Sequence, residues 1–167
     1  IVATMHAGVE YVRKPNQSQI DFAHTAIDAG ADMVIGAHPH WVQTIERYCP
    51  NSATILPSPL TGEGVTQRVA DEGMTNCPNP KYIFYSLGNF IFDQMWSPDT
   101  REGLAIKIQI SKPKSLNQLQ GTHQSAKLDS VELIPIIIDN YSTPRPATAE
   151  ETKNILKKIG IKESILH

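Results

Sequence analysis

The sequence predicts an α/β fold, and three observations carry that prediction. Short apolar runs alternate with an amphipathic helical pattern over the first forty residues. Two longer runs of alternating apolar residues follow in the second half, and the tail carries a capped helical pattern. At 167 residues and 40% hydrophobic content, the chain is long enough to bury a real core.

Taken in order, residues 1–5 (Ile-Val-Ala-Thr-Met) read as a buried strand. Residues 17–29 predict a helix, because Ile20, Ala23, His24 and Ile27 fall on one face. Asn16 or Ser18 supplies its N-cap and Gly30 its end. Residues 33–35 form the next strand, and strand, helix, strand implies a parallel pair with a right-handed crossover. Residues 81–85 are a further strand running into Ser86-Leu87-Gly88-Asn89. Residues 104–110 and 128–138 look like a strand pair joined by a polar segment, with Leu104, Ile106, Ile108 and Ile110 on one buried face. Residues 148–159 read as an amphipathic helix, where Thr148 as N-cap and Glu151 three residues on make a capping box.

The formal charge of −2 and the lack of a basic run argue against nucleic acid as a partner. No apolar stretch reaches the roughly 18 residues of a membrane-spanning helix. The least regular part is 49–80, with five prolines, three glycines and both cysteines. Loops this long are uncommon unless functional or disordered.

The main clue to chemistry is three histidines placed where apolar runs stop. His6 follows the first run, and His38 and His40 follow the second in Gly36-Ala37-His38-Pro39-His40. Ligands of open α/β sheets bind at such strand ends, and imidazole is the commonest protein ligand for transition metals. Pro39 is expected to push His38 toward extended backbone, which would set His38 and His40 on the same side, and Gly36 to let the chain turn. The plainer alternative is three ordinary polar loop residues; the matching position of His6 favours a metal. Three histidines alone would hold one ion with open positions. Glu10, four residues after His6, is a candidate general acid or base, or a hydrogen-bond partner of a ligand histidine. Asn89 is a candidate donor to a substrate oxygen, and Arg101 a candidate counter-charge for an anionic substrate. His24 reads as a satisfied core histidine, Trp41 as a cleft or packing aromatic, and Glu46 and Asp93 as solvated or capping carboxylates. No constellation surrounds His123 or His167.

Three segments sharpen the picture: His6-Ala7-Gly8-Val9-Glu10-Tyr11, Gly36-Ala37-His38-Pro39-His40-Trp41-Val42-Gln43, and Tyr85-Ser86-Leu87-Gly88-Asn89-Phe90-Ile91-Phe92-Asp93. In order and spacing they resemble the later motifs of the CapA-type capsule-synthesis family, a branch of the calcineurin-like metallophosphoesterase superfamily. The likeness runs from residue 1 to about Pro146 and takes in Thr100-Arg101-Glu102-Gly103; Ala7 departs from it, where the family commonly has Trp.

The resemblance implies the C-terminal half of a metallophosphoesterase-like α/β/β/α sandwich over 1–146, with 49–80 as an irregular insertion and 147–167 as a helical tail. The chain begins at Ile1 without an initiator Met, so the remaining ligands, and any signal or anchor, are expected in a preceding half of the same domain. By resemblance His6 and His38 would bind one divalent ion and His40 a second, with Mn, Zn or Fe as candidate metals. The implied substrate is an anionic polymer such as poly-γ-glutamate, hydrolysed or transferred at a γ-glutamyl amide bond outside the cell or in its envelope, with capsule-synthesis membrane proteins as partners. A metallophosphoesterase and a non-catalytic capsule-assembly subunit are the alternatives. Residues 1–167 by themselves would bind metal weakly and turn nothing over.

Cys49 and Cys77 bracket the irregular segment almost end to end, which predicts a disulfide. Closing a loop of that length contributes roughly 3–4 kcal/mol by restricting the unfolded chain. Thiol titration of the denatured, non-reduced protein is expected to find no free thiol; two titratable thiols would refute the bridge.

Overall fold

In the computed structural model, which describes residues 1–50, 80–111 and 127–161, the alternating N-terminal pattern becomes a four-stranded sheet. The chain divides into two units, Ile1–Leu87 and Gly88–His167. In the first, β1 (Val2–His6), helix α1 (Gln17–Asp28), β2 (Met33–Ala37), β3 (Ile45–Tyr48) and β4 (Lys81–Phe84) follow one another along the chain. The sheet order is β1-β2-β4-β3, parallel except for β3, which runs antiparallel to β4. This is the α/β class expected.

Helix α1 starts where the sequence places it. The Asn16 side chain accepts from the Gln19 amide while Gln19 Oε1 accepts from the Asn16 N–H, so two orphan donors of the first turn are satisfied reciprocally. Its face of Ala23 and Ile27 packs with Met5, Val34, Ile83 and Tyr85 into the core of this unit.

Two expectations need correcting. β1 is not buried: only Met5 of its five residues is, because β1 sits at the edge of the sheet with β2 as its one neighbour among the described strands. β3 has no counterpart among the strands the sequence predicts. Its four residues place Glu46 and Arg47 between Ile45 and Tyr48, too short and too charged to show a period of two.

β3 also gives Glu46 a different part from the solvated or capping one its sequence suggests. The hydroxyl of Tyr85 donates to Glu46 Oε2 at 2.5 Å, and His24 Nε2 stands 3.0 Å from Oε1. His24 stacks on Tyr48 at 4.1 Å between ring centres, and Tyr48 donates to Asp28. The half-buried His24 is thus satisfied, as its place on the helix face predicts.

In the second unit, α2 (Pro98–Arg101), β5 (Glu102–Ser111), β6 (Lys127–Asp139), β7 (Thr143–Pro146) and α3 (Ala149–Lys158) form an antiparallel sheet of order β5-β6-β7 with two helices. The Thr148–Glu151 capping box forms as predicted, and Ile155 and Leu156 are the buried residues of α3. Arg145 joins the Glu151 carboxylate to Asp139, which also accepts from Arg101. These bonds from Arg145, ahead of the Thr148 N–H, pull the Glu151 carboxyl down to about 2. The expected apolar face of β5 is buried at Leu104 and fades until Ile110 is 61% exposed. The register shifts between Gln109 and Ile110, and that end of β5 pairs with β6 alone.

Cys49 is disulfide-bonded; Cys77, its expected partner, lies outside the described residues, as do His123, His167 and residues 51–79. No helix among the described residues is long and apolar enough to cross a membrane.

Burial pushes the Glu46 carboxyl up, but the hydrogen bonds from His24 and Tyr85 outweigh it and hold it below its ordinary value of 4.5. A carboxyl lowered on folding contributes stability above its unfolded pKa and loses it as pH falls through the folded value. Thermal melts between about pH 3 and 7 should therefore show an acid-side loss of stability in the wild type, beginning near 4.5 and continuing below, that is shallower in Glu46→Gln.

Candidate functional site

The parallel register of β1 and β2 runs from Val2 opposite Met33 to His6 opposite Ala37. Both strands end together, and the Ala7 N–H donates to the Ala37 carbonyl just beyond. His6 and His38 thereby leave the same edge of the sheet, with ring centres 4.9 Å apart and planes tilted by 57°. The His40 ring lies 6.3 Å from that of His38.

The backbone reaches this arrangement by another route than the extended one expected. His38 has φ 105° and His40 φ 61°, so two residues at positive φ bracket the buried Pro39. β2 has already ended at Ala37, and the chain is turning rather than extended, so same-side placement on a strand is not what brings the rings together. Gly36 also serves a different purpose: it is not at positive φ, and a Cβ there would stand 2.1 Å from the carbonyl oxygen of Tyr85. It allows close approach of β2 to the end of β4, where the Leu87 N–H donates to the Gly36 carbonyl.

The segment after His6 folds back over this turn. Tyr11, at φ 60°, donates its N–H to the Pro39 carbonyl at 2.8 Å and stacks its ring on His40 at 5.7 Å. Glu10 Oε1 is 3.8 Å from His40 Nε2, an electrostatic pairing longer than a direct hydrogen bond. Trp41 meets Tyr11 edge-on, and the Arg13 guanidinium lies 5.2 Å from the Trp41 ring centre while donating to the Val42 carbonyl. The indole Nε1 of Trp41 is buried with no hydrogen-bond partner among the described residues. The half-buried Trp41 is thus packed against Tyr11 and Arg13.

Beneath these groups lie two fully buried amides, Gln19 and Gln43, which sequence reasoning misses. A signal is present for one of them: Gln19 falls four and eight residues before Ala23 and Ile27, on the apolar face of α1.

Asn89 and Arg101 both lie in the second unit. The buried Asn89 donates through Nδ2 to the Thr100 carbonyl at 2.9 Å, and Arg101 donates to the Ile138 carbonyl and to Asp139. Asp93 is exposed. Among the described residues no group of three or more His, Cys, Asp and Glu side chains is drawn together closely enough to enclose a metal ion.

In open α/β sheets ligands bind outside the carboxyl ends of the strands, and His6 and His38 stand at two such neighbouring ends. The model of the bacterial capsule synthesis protein family PGA_cap matches residues 1–94, and the chain belongs to that family. It is 31% identical to the PGA biosynthesis protein CapA of Bacillus subtilis (strain 168) over 153 residues, which is 92% of this chain and 28% of that protein. To the capsule biosynthesis protein CapA of Bacillus anthracis it is 30% identical over 154 residues, 92% of this chain and 26% of the relative. The chain thus spans little more than a quarter of the length of either relative.

Proposed function

We propose that the chain carries part of a divalent-metal site that acts on a capsule polymer at the cell envelope. The observation that supports this most is the 4.9 Å separation of the His6 and His38 rings. Two imidazoles that share one ion, with metal–nitrogen distances of about 2 Å, have ring centres roughly 4.5–5.5 Å apart. His6 and His38 fit that geometry; His40, at 6.3 Å from His38, fits a neighbouring ion better than the same one. These residues thus fit one part of a dinuclear centre, and other donors must complete it.

A bound divalent ion supplies Lewis acidity and lowers the pKa of its water. The chain's own residues supply the rest. The Glu10 carboxylate, held near His40, is placed to orient that imidazole and to take or return a proton at the reacting group. Asn89 and Arg101 are given no part in the chemistry proposed.

The substrate proposed is poly-γ-glutamate or a related anionic polymer, hydrolysed or transferred at its γ-glutamyl amide bond. The names of the two relatives and the family match support the capsule association, and with it a place in the cell envelope. Assays of the full-length protein with Mn²⁺ or Zn²⁺ should show metal-dependent cleavage or transfer of γ-glutamyl amides. His6→Ala and His38→Ala should each lower it at least 100-fold, and Glu10→Gln about 10²–10⁴-fold if Glu10 is the proton carrier. Turnover of phosphoesters alone would reassign the substrate, and no metal-dependent turnover of either would favour an assembly subunit.

A further inference from the structure

We propose that Gln43, together with Gln19, is a positioning residue that locks the loop bearing Glu10 and Tyr11 onto the His38–His40 turn. Gln43 is wholly buried, and its side chain is spent on three partners. Nε2 donates to the carbonyls of Val12 at 2.8 Å and Lys14 at 3.2 Å, and Oε1 accepts from Gln19 Nε2 at 2.9 Å. Its backbone N–H donates to Ser86 at the end of β4, so the residue is anchored to the sheet while its side chain grips the loop.

Gln19 is the second half of the clamp. Its Nε2 also lies 3.4 Å from the Tyr85 carbonyl, and its Oε1 is fixed by the Asn16 N–H. Gly8, at φ 124°, rests directly on it: a Cβ there would stand 2.6 Å from Gln19 Oε1. The loop is therefore held at three points, Gly8, Val12 and Lys14. The residues between them are the ones that meet His40, Glu10 by charge and Tyr11 by stacking.

Backbone strain shows what the clamp is for. Tyr11, His38 and His40 all have positive φ without being glycine, a strained conformation that persists only where the surroundings over-determine it. Two buried amides whose hydrogen bonds join the loop to α1 and to the sheet are such surroundings, since a satisfied buried polar network specifies one geometry where apolar packing tolerates several. Between β1 and α1 the loop forms neither helix nor strand.

The proposal rests on the metal-site reading only for its consequence, and the experiment separates the two. Amide hydrogen exchange of the intact protein is compared at Tyr11, whose N–H bonds Pro39, and at Val34 in the central strand β2, alongside Zn²⁺ affinity by calorimetry. Gln43→Met keeps the length and loses the hydrogen bonds. It should raise exchange at Tyr11 at least 10-fold more than at Val34 and weaken Zn²⁺ binding about 10-fold, the usual effect of losing a group that orients a ligand. Ile27→Val, in the core on α1, should lower overall stability and raise exchange at Val34 at least as much as at Tyr11, while leaving the Zn²⁺ affinity unchanged. If Gln43→Met does not fold, Gln19→Met opens the other side of the clamp and is read by the same ratio. A folded variant in which Tyr11 exchange merely tracks Val34 overturns the proposal. If the wild type binds no Zn²⁺, the metal reading fails by itself and the exchange ratio alone decides the clamp.

Discussion

The parallel pairing of β1 with β2 is the constraint on which the site depends. Its register sets His6 opposite Ala37, one residue short of His38, so that two positions separated by a whole helix leave the sheet together. A slip of one residue would carry the side chains of a strand to the opposite face and part these rings. The register is fixed from the other side of β2 as well, where Met33, Val34 and Ile35 face Tyr82, Ile83 and Phe84 of β4, and Gly36 lets the end of β4 approach within the space of a missing methyl. The central strand is thus gripped on both sides, and the edge strand β1 takes its position from it.

From that edge the chain does something a regular strand would not. His38 and His40 turn through backbone at positive φ on either side of Pro39, and the loop from β1 closes over them through Tyr11. The local conformation is unfavourable, and buried hydrogen bonds beneath it offset that cost. Strain above and a satisfied polar network below are a common pairing at sites whose geometry has to be held to a fraction of an ångström. A separate polar cluster, His24, Glu46 and Tyr85, ties α1 to β3 on the same sheet. It keeps a charged carboxylate half-buried, at the expense of stability in acid.

Much of the fold is legible because local signals agree with the tertiary outcome. The Asn16 and Thr148 caps, the α1 face of Ala23 and Ile27, and the strands that end near His6 and His38 can all be read from residue type and spacing. What cannot be read depends on partners distant in sequence. β3 owes its existence to pairing with β4, and Glu46 its burial to Tyr85, 39 residues away. β1 reads as a buried strand because its residues are apolar, although among the described residues it stands at the sheet edge and most of them are exposed. Within the site, the nature and convergence of His6 and His38 follow from strand order, whereas the conformation of His38 does not. A proline biases the residue before it toward extended backbone, and in this turn the clamp prevails over that bias. The hydrogen bonds of Asn89 to Thr100 and of Arg101 to Ile138 and Asp139 likewise join residues distant in sequence and are invisible without the structure.

The central claim is that His6 and His38 are neighbouring ligands of one ion, with His40 outside that pair. X-ray absorption fine structure of the full-length protein loaded with one equivalent of Zn²⁺ tests it directly. The account predicts two imidazole nitrogens at about 2.0–2.1 Å from the zinc, one lost in His6→Ala, one lost in His38→Ala, and both kept in His40→Ala. A shell of oxygen atoms alone, or an imidazole shell that survives both of the first two substitutions, would contradict it.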